Sequence, residues 1–266
     1  MKFLRYPGGK SKLLYFLNQY LPSSGEIAGN YIEPFVGGGS VFLSVQPQSA
    51  ILSDKNPELI ELYKGIRNYP HKVWEIFKTF PEGKKAYYRI RDSEYKKNPL
   101  YFRAARTLYL NRTCFKGMWR HASNGKFNVG YGGEDRRWVI THQNIIELSK
   151  LLKKTKLNIS DFELILDNVN DGDFIFLDPP YKPGEKELHE SHYTISKFTF
   201  NDQIRLSKKI IEMCSRKNIR WIMTNSSHED IINLYNNNRI VKIPRGTSDR
   251  IGVFTNESKE ILILNY

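Results

Sequence analysis

The apolar run at residues 174–177 ends abruptly in an acid, and this ending limits the fold more than any other feature of the chain. The sequence reads FIFLDPPYKP from residue 174 to residue 183. A short, wholly apolar run bounded by proline is typical of a strand that is buried on both faces. Pro179 and Pro180 cannot continue a hydrogen-bonded ladder, so the strand must stop there. We therefore predict a covered sheet that carries Asp178 at the carboxyl end of an inner strand.

Further strand patterns alternate with helical patterns along most of the chain. They lie at residues 30–35, 50–54, 156–162, 173–178 and 219–227, and apolar residues at helical spacing follow at 203–217. Strands separated by helices predict an α/β fold with a mostly parallel sheet covered on both faces. Two segments near the end, RIVKIPR (239–245) and KEILILNY (259–266), predict a terminal β-hairpin.

The segment from residue 57 to residue 155 differs from its flanks. It contains four helical patterns, at residues 58–68, 71–80, 100–115 and 142–154. Between the last two lies a stretch rich in Gly, Asn and Arg, in which Asn124 and Gly125 form a hairpin signal. We predict a catalytic domain made of residues 1–56 and 156–266. Residues 57–155 would be a helical insertion that bears a basic hairpin at 115–138.

Positive charge is concentrated in this middle segment. Residues 57–160 hold 22 Lys and Arg against 9 Asp and Glu, while the whole chain has a net charge of +13. A basic block with interspersed aromatic residues is typical of a nucleic-acid-binding surface. The simpler alternative is a set of solvated helical faces, since short lysine runs often have no specific role.

Other classes of protein find little support. The two cysteines are far apart, which argues against a disulfide framework or a zinc site and fits a reducing cytoplasm. We expect no bound metal. No apolar stretch is long enough to span a bilayer, and the first residues lack the pattern of a secretion signal, so we expect no association with a membrane.

A glycine-rich turn, EPFVGGGS (33–40), follows the first predicted strand. Three consecutive glycines allow the backbone to approach a ligand closely. Asp54 ends the next strand, where an acid can accept hydrogen bonds from ribose hydroxyls. The dinucleotide pattern would need glycine at position 42, which is Phe42, so a dehydrogenase is disfavoured. These features suggest a nucleoside cofactor, and the alternative is a tight turn followed by a helix-capping aspartate.

The DPPY sequence at residues 178–181 suits chemistry on an aromatic amino group. Such a group is a poor nucleophile because its lone pair is delocalised into the ring. The Asp178 carboxylate and a prolyl carbonyl could accept both N–H groups and direct the lone pair at an electrophile. Tyr181 offers a face on which a base could stack. The alternative is a turn that merely terminates the strand.

Taken in order, the motifs resemble those of the Dam-type DNA adenine-N6 methyltransferases, the α-ordered D12 class. The matching segments are RYPGGK, EPFVGGGS, LSDKNPELI, SDFE, FIFLDPPY and SHYTISKFTFNDQIRL. The resemblance implies a Rossmann-like class I methyltransferase sheet with a terminal β-hairpin and a helical target-recognition insertion. It also implies S-adenosylmethionine as the cofactor and double-stranded DNA as the partner, with an adenine flipped out of a short site such as GATC.

The resemblance assigns roles to individual residues. The cofactor would be held by Tyr6, Lys10, Glu33, Phe35, Gly37, Asp54, Asp161, Phe162 and Asp178, with Asp54 at the ribose and Asp161 and Phe162 at the adenine. The catalytic residues would be Asp178, Pro179 and Tyr181. The DNA contacts would come from Asn111, Arg112, Lys116, Arg120, Asn124 and Arg137, with Arg120 as the candidate for a bidentate guanine contact in the major groove.

The chain departs from the family within the recognition hairpin. Gly130 stands where the family has proline, and Met118 and Trp119 differ from the usual pair, so the target sequence is left open. A cognate restriction endonuclease fits as a partner, and a monomer in a prokaryotic or phage-infected cytoplasm, associated with the nucleoid, is the simplest expectation. Two alternatives stay open at this point: an RNA or cytosine-N4 methyltransferase, and a nucleic-acid-binding relative without catalytic activity.

Overall fold

A seven-stranded sheet forms the centre of the protein in the computed structural model, which describes residues 3–122, 124–181, 198–244 and 260–266. The strands are β1 Tyr31–Glu33, β2 Ala50–Asp54, β3 Thr155–Ile159, β4 Phe174–Leu177, β5 Arg220–Ser226, β6 Arg239–Lys242 and β7 Glu260–Leu264. Their order is β3-β2-β1-β4-β5-β7-β6, and only β7 runs antiparallel to its neighbours. This confirms the predicted Rossmann-like sheet and its terminal β6–β7 hairpin.

The inner strands are apolar throughout because both faces of the sheet are covered. On β4, Phe174 and Phe176 belong to one hydrophobic cluster, while Ile175 and Leu177 belong to another on the opposite face. All four side chains are at most 1 % exposed. The alternation follows from the two-residue period of a strand. The wholly apolar run at residues 174–177 is therefore a strand buried on both faces.

Ten α-helices occur in the described part of the chain. They are α1 Leu14–Leu17, α2 Ser40–Val45, α3 Pro57–Asn68, α4 Pro70–Thr79, α5 Lys84–Asp92, α6 Leu100–Thr113, α7 His142–Leu152, α8 Phe162–Leu166, α9 Phe200–Arg216 and α10 Glu229–Leu234. Helices α3 to α7 lie between β2 and β3, so the middle segment is helical as predicted. Helix α5 was not predicted, because its strongly polar sequence buries only Tyr87 and Ile90. None of these helices is both long and apolar enough to cross a membrane.

The helical segment packs on the sheet through a shared core. Residues such as Val73 of α4 and Leu108 of α6 belong to the same hydrophobic cluster as Leu52 of β2 and Phe174 of β4. Helix α3 begins where β2 ends, since Asn56 caps it and Pro57 occupies its first position. The division of the chain into a catalytic domain and an insertion at 57–155 therefore stays a proposal about function, because no separate core marks it.

The predicted hairpin at 115–138 is held by two isolated antiparallel bridges rather than by a continuous ladder. The bridges join Cys114 to Tyr131 and His121 to Phe127. At the tip, the Ala122 amide donates a hydrogen bond to the Lys126 carbonyl, and Gly125 has a φ of 76°. Glycine is favoured there because a side chain is strained at positive φ.

Candidate active site

The carboxyl ends of β1, β2 and β4 border a cavity of about 350 Å³. The order of the sheet reverses between β1 and β4, and this is where open α/β sheets bind ligands. The predicted residues that line the cavity are Tyr6, Lys10, Glu33, Phe35, Gly37, Asp54, Phe162, Asp178, Pro179 and Tyr181. Of the predicted cofactor and catalytic residues, only Asp161 is missing from the lining.

The glycine loop after β1 forms one wall of the cavity. Gly37 and Gly39 have φ values of 45° and 63°, in the left-handed region. A Cβ at Gly37 would lie 3.0 Å from the ring of Tyr6, and a Cβ at Gly38 would be equally close to the Cβ of Tyr6. The loop is therefore packed directly against Tyr6, and any larger residue would displace it.

Asp54 ties this loop to the start of α3. One carboxylate oxygen accepts a hydrogen bond from the Gly37 amide at 3.1 Å, and the other accepts from the Asn56 amide at 2.9 Å. Burial raises the pKa of Asp54 to about 6, although its backbone hydrogen bonds oppose the shift. The carboxylate is thus held by the backbone at the edge of the cavity, with its charge poorly solvated.

Glu33 is a second buried acid in the same wall. Its side chain accepts a hydrogen bond from the Tyr31 hydroxyl at 2.8 Å, and the residue is 2 % exposed. Burial raises its pKa well above the usual range, and the nearby carboxylates of Asp178 and Asp54 add to the effect. A cationic ligand would relieve the effect of these neighbouring carboxylates on Glu33.

Aromatic rings that contact one another form an apolar wall beside these acids. The ring of Phe35 lies 5.6 Å from that of Phe162 and 5.8 Å from that of Phe198, centre to centre. Asp161, in contrast, caps α8 by accepting from the Glu163 amide at 3.0 Å. It also pairs with Lys55 at 2.6 Å. Its neighbours Ser160 and Phe162 reach the cavity, whereas the Asp161 carboxylate is used by these contacts.

The DPPY motif begins directly after β4. Asp178 Oδ1 lies 2.8 Å from the Lys10 ammonium and accepts a hydrogen bond from the Thr224 hydroxyl at 2.7 Å. Lys10 is 4 % exposed, and it lies 4.8 Å from the centre of the Tyr181 ring. Burial alone would lower the pKa of Lys10, but the Asp178 carboxylate and Tyr181 raise it above its ordinary value.

Arg112 is the most unusual of the predicted DNA-binding residues. It is 3 % exposed, and its Nε and Nη2 atoms have no hydrogen-bond partner in the described structure. Its pKa is lowered to about 10, chiefly by burial and in part by the charges of Arg5 and Arg136. We call these three residues the guanidinium cluster. Like charges gathered around buried donors form a site that suits an anion.

Three other predicted DNA contacts lie on the hairpin. Arg120 donates from Nε to the Asn128 side chain at 2.9 Å. Lys116 is exposed and has a φ of 51°, and Asn124 is exposed at the tip, where it accepts from the Lys126 amide. These positions are compatible with contacts to DNA.

Asn111 and Arg137 have structural roles instead, and we withdraw them as DNA contacts. The Asn111 amide exchanges two hydrogen bonds with the backbone of Arg5, and the residue is 1 % exposed. The Arg137 guanidinium pairs with Asp135 at 2.7 Å and donates to the carbonyls of Phe77 and Phe80. Asn111 is too buried to reach a phosphate or a base, and the Arg137 guanidinium is engaged by Asp135 and two carbonyls.

Several residues of the site escaped the sequence analysis: Arg5, Trp119, Arg136, Phe198, Gln203 and Thr224. Trp119 brings the hairpin to the cavity, since its ring lies 5.7 Å from that of Tyr6 and it lines the same space. Thr224 had a recognisable signal, because a polar TNSS run interrupts an apolar strand at its carboxyl end. The described residues contain no cluster of His, Cys, Asp and Glu arranged to hold a metal ion.

Fold and site together define a methyltransferase of the Rossmann-like type. Residues 6–247 match the family model of the D12 class N6 adenine-specific DNA methyltransferases, and the chain belongs to this family. It is 32 % identical to the type II methyltransferase M.MjaIII of Methanocaldococcus jannaschii, over 99 % of this chain and 98 % of that protein. It is 31 % identical to the type II methyltransferase M1.LlaDCHI of Lactococcus lactis, over 99 % of this chain and 95 % of that protein. A DNA adenine methylase of Escherichia coli is 31 % identical, over 84 % of this chain and 80 % of its own length.

Proposed function

We propose that the protein transfers a methyl group from S-adenosylmethionine to the N6 amino group of an adenine in a short duplex DNA sequence. One observation carries the proposal. Asp178 and Pro179 share a cavity with the glycine loop and Asp54, so an amino group and a nucleoside cofactor could meet there. Family membership favours adenine in DNA over the RNA and cytosine-N4 alternatives.

The residues of the cavity suit S-adenosylmethionine chemically. Asp54 would accept from the ribose hydroxyls, and the apolar wall formed by Phe35, Phe162 and Phe198 would contact the adenine ring. The buried carboxylates of Glu33 and Asp54 would favour a ligand with net positive charge, which explains why two acids lie in so enclosed a place. When bound, the cofactor supplies an electrophilic methyl group on a sulfonium sulfur.

The DPPY residues would hold the target amino group. Lys10 and Thr224 both contact Asp178 Oδ1, which leaves Oδ2 as the acceptor for one N6 hydrogen. The Pro179 carbonyl would accept the other, and Tyr181 would stack on the base. The two acceptors would direct the nitrogen lone pair at the methyl carbon. The bond from this carbon to N6 would replace its bond to sulfur, the sulfur would keep the electron pair, and one N6 proton would leave past Asp178 Oδ2 to solvent.

The basic side of the molecule would hold the duplex. The guanidinium cluster would bind a phosphate, Lys116 and Asn124 would contact the backbone, and Arg120 would read a guanine in the major groove. Flipping the adenine costs roughly a few kcal/mol, which these contacts would offset. The target is GATC or a variant of it. A Cβ at Gly130 would find only the Tyr88 hydroxyl, at 3.6 Å, so packing does not impose glycine at this point of the hairpin.

Methylation of defined duplexes tests the proposal. Purified protein would be incubated with methyl-labelled S-adenosylmethionine and duplexes that contain or lack GATC, and the modified base would be identified after nuclease digestion. We expect label in N6-methyladenine. Sequencing of modified bases in DNA from cells that express the protein would then give the target. Label in cytosine, label only in RNA, or no label at all would overturn the proposal. A restriction partner, a monomeric state and a cytoplasmic location stay predictions.

A further inference from the structure

The DPPY loop rests on a group of polar side chains that are buried within the core. Thr224 and Asn225 on β5 are both 0 % exposed, and Gln203 on α9 is 1 % exposed. Burying these polar side chains costs free energy unless each of them forms hydrogen bonds. We call these three residues the support network, because their hydrogen bonds end on the motif.

The hydrogen bonds of the support network run from the core to two points of the motif. The Thr224 hydroxyl donates to Asp178 Oδ1 at 2.7 Å. Gln203 Nε2 donates to the carbonyl oxygen of Pro180 at 2.9 Å. The Gln203 side chain is fixed in turn, since its Oε1 accepts from Asn225 Nδ2 at 3.1 Å. The motif is thereby attached to strand β5 and to helix α9.

The bonds select which acceptors of the motif remain for a ligand. Lys10 and Thr224 occupy the same oxygen of Asp178, and Gln203 occupies the carbonyl of the second proline. Within the described residues, no donor is bonded to Asp178 Oδ2 or to the carbonyl of Pro179. These are the two acceptors that an amino group with two hydrogens needs.

We infer that Thr224 and Gln203 are positioning residues for the methyl transfer, and this inference rests on the proposed function. Thr224 prevents the Asp178 carboxylate from rotating, and Gln203 fixes the peptide plane of the proline pair. Neither residue lines the cavity, so each acts through the motif rather than on the substrate. A displacement of about 1 Å at a reacting group can cost on the order of a hundredfold in rate.

The main test compares Thr224→Val with Thr224→Ser. Valine keeps the shape but removes the donor, while serine keeps the donor. We expect Thr224→Val to lower the single-turnover rate by about tenfold to a hundredfold, with unchanged dissociation constants for S-adenosylmethionine and DNA. Thr224→Ser should recover most of the rate. The matched control is Thr155→Val, which removes a buried threonine hydrogen bond of the same 2.7 Å length on β3, away from the motif.

A second variant keeps the test decisive if Thr224→Val does not fold. Gln203→Met removes the bond to Pro180, and we expect about a tenfold loss of single-turnover rate. Its control is Ser207→Ala, one turn further along α9, where the hydroxyl donates to the Leu234 carbonyl. Both controls should keep the wild-type rate.

The outcomes separate this inference from the proposed function. If wild-type protein methylates no adenine, the proposed function fails. If wild-type protein is active and Thr224→Val and Gln203→Met are equally active, only the inference fails. It also fails if the variants lose melting temperature and cofactor affinity in proportion to their rate, because that pattern indicates a purely structural role.

Discussion

The DPPY motif and the guanidinium cluster differ in how their buried polar groups are paired. Around the DPPY motif, most buried polar groups are bonded to other protein groups, as in the contacts of Asp178 with Lys10 and Thr224, although the Tyr181 hydroxyl has no hydrogen-bond partner within the described residues. In the guanidinium cluster, Arg112 buries two nitrogen atoms without partners beside Arg5 and Arg136, and Arg136 is itself paired with Glu134 at 2.8 Å. The first region is preorganised by the fold. The second leaves donors of Arg112 without partners, and an anion would supply acceptors for them.

This contrast matches the tasks that we propose. A transition state is stabilised best by groups that need no rearrangement when the charge develops. A DNA phosphate, however, brings its own negative charge, so a site for it can tolerate unpaired cations at some expense of stability.

Replacing Asp178 should have the largest effect on turnover. We expect Asp178→Ala to lower the single-turnover rate by about 10³-fold, because the acceptor for the amino group is lost. Cofactor and DNA binding should change by less than about tenfold. Single-turnover labelling and calorimetric titration measure the two quantities. Asp178→Asn keeps an acceptor oxygen and should lose less activity. Comparable methylation by Asp178→Ala and wild type would refute the assigned role.

The same substitution at two arginines should have opposite effects on stability. Arg112→Met removes an unpartnered buried charge and should stabilise the free protein by about 1 kcal/mol. Arg137→Met leaves Asp135 and two carbonyls without their donor and should destabilise it by about 2 kcal/mol or more. Chemical unfolding of both variants gives these values.

The salt dependence of DNA affinity should change in Arg112→Met and stay unchanged in Arg137→Met. Arg112→Met should reduce the slope of log affinity against log salt by about 1, since one phosphate contact is lost. Arg137→Met, if folded, should keep the wild-type slope. DNA titrations of both variants at several salt concentrations measure these slopes. An unchanged slope for Arg112→Met would remove the guanidinium cluster from the DNA-binding surface.

Cofactor affinity should depend on pH through Asp54. Because the pKa of Asp54 is raised to about 6, the carboxylate is ionised above this pH and neutral below it. A cationic ligand prefers the ionised form, so affinity should fall by up to about tenfold per pH unit below pH 6. Calorimetry between pH 5 and pH 8 measures this. Asp54→Asn should bind weakly at every pH with a flatter profile, and a flat wild-type profile would contradict the assignment.

The smallest effect concerns the attachment of the hairpin to α3. His121 Nε2 lies 3.0 Å from Glu58 Oε2, and the Tyr95 hydroxyl donates to the other oxygen of Glu58. Burial opposes ionisation of Glu58, but His121 and Tyr95 outweigh it and lower its pKa. The resulting stability is present above the unfolded pKa of about 4.3 and is lost as pH falls through the lower folded value.

We therefore expect Glu58→Gln to cost about 1 kcal/mol at pH 7 and to make stability less dependent on pH below 5. Turnover on saturating DNA should stay near the wild-type rate, because the DPPY region is attached to other elements. Denaturation at pH 4 and pH 7 gives the first quantity. A large loss of turnover would show that the hairpin and the catalytic motif are more closely coupled than their separate contacts indicate.

Local sequence was sufficient for the elements that bury continuous apolar runs. Strand β2 was predicted with its observed bounds of 50–54, and β4 within one residue at each end. Helix α5 was missed because only two of its side chains are buried, so its apolar pattern is too weak to recognise. Residues 182–197 lie outside the described residues, and they include 191–197, the first part of the SHYTISKFTFNDQIRL motif. Arg245 of the predicted hairpin also lies outside the described residues.

Side-chain chemistry alone did not indicate which of the predicted DNA contacts the fold leaves free for a ligand. Asn111 and Arg137 have suitable donors, but tertiary contacts already use them. Arg5, in contrast, lies far from the hairpin in sequence and joins Arg112 only in the folded chain. A donor is available to a ligand only if the fold leaves it without a partner, and no spacing rule contains that information.

The order of strands and helices, the glycine turn and the acid after β4 follow from residue type and spacing, because apolar burial and backbone geometry act over a few neighbouring residues. The support network behind the DPPY motif and the guanidinium cluster were decided by the folded structure alone. Their members come from segments more than 20 residues apart, and hydrogen bonds and charges act only when packing brings the groups within a few ångströms.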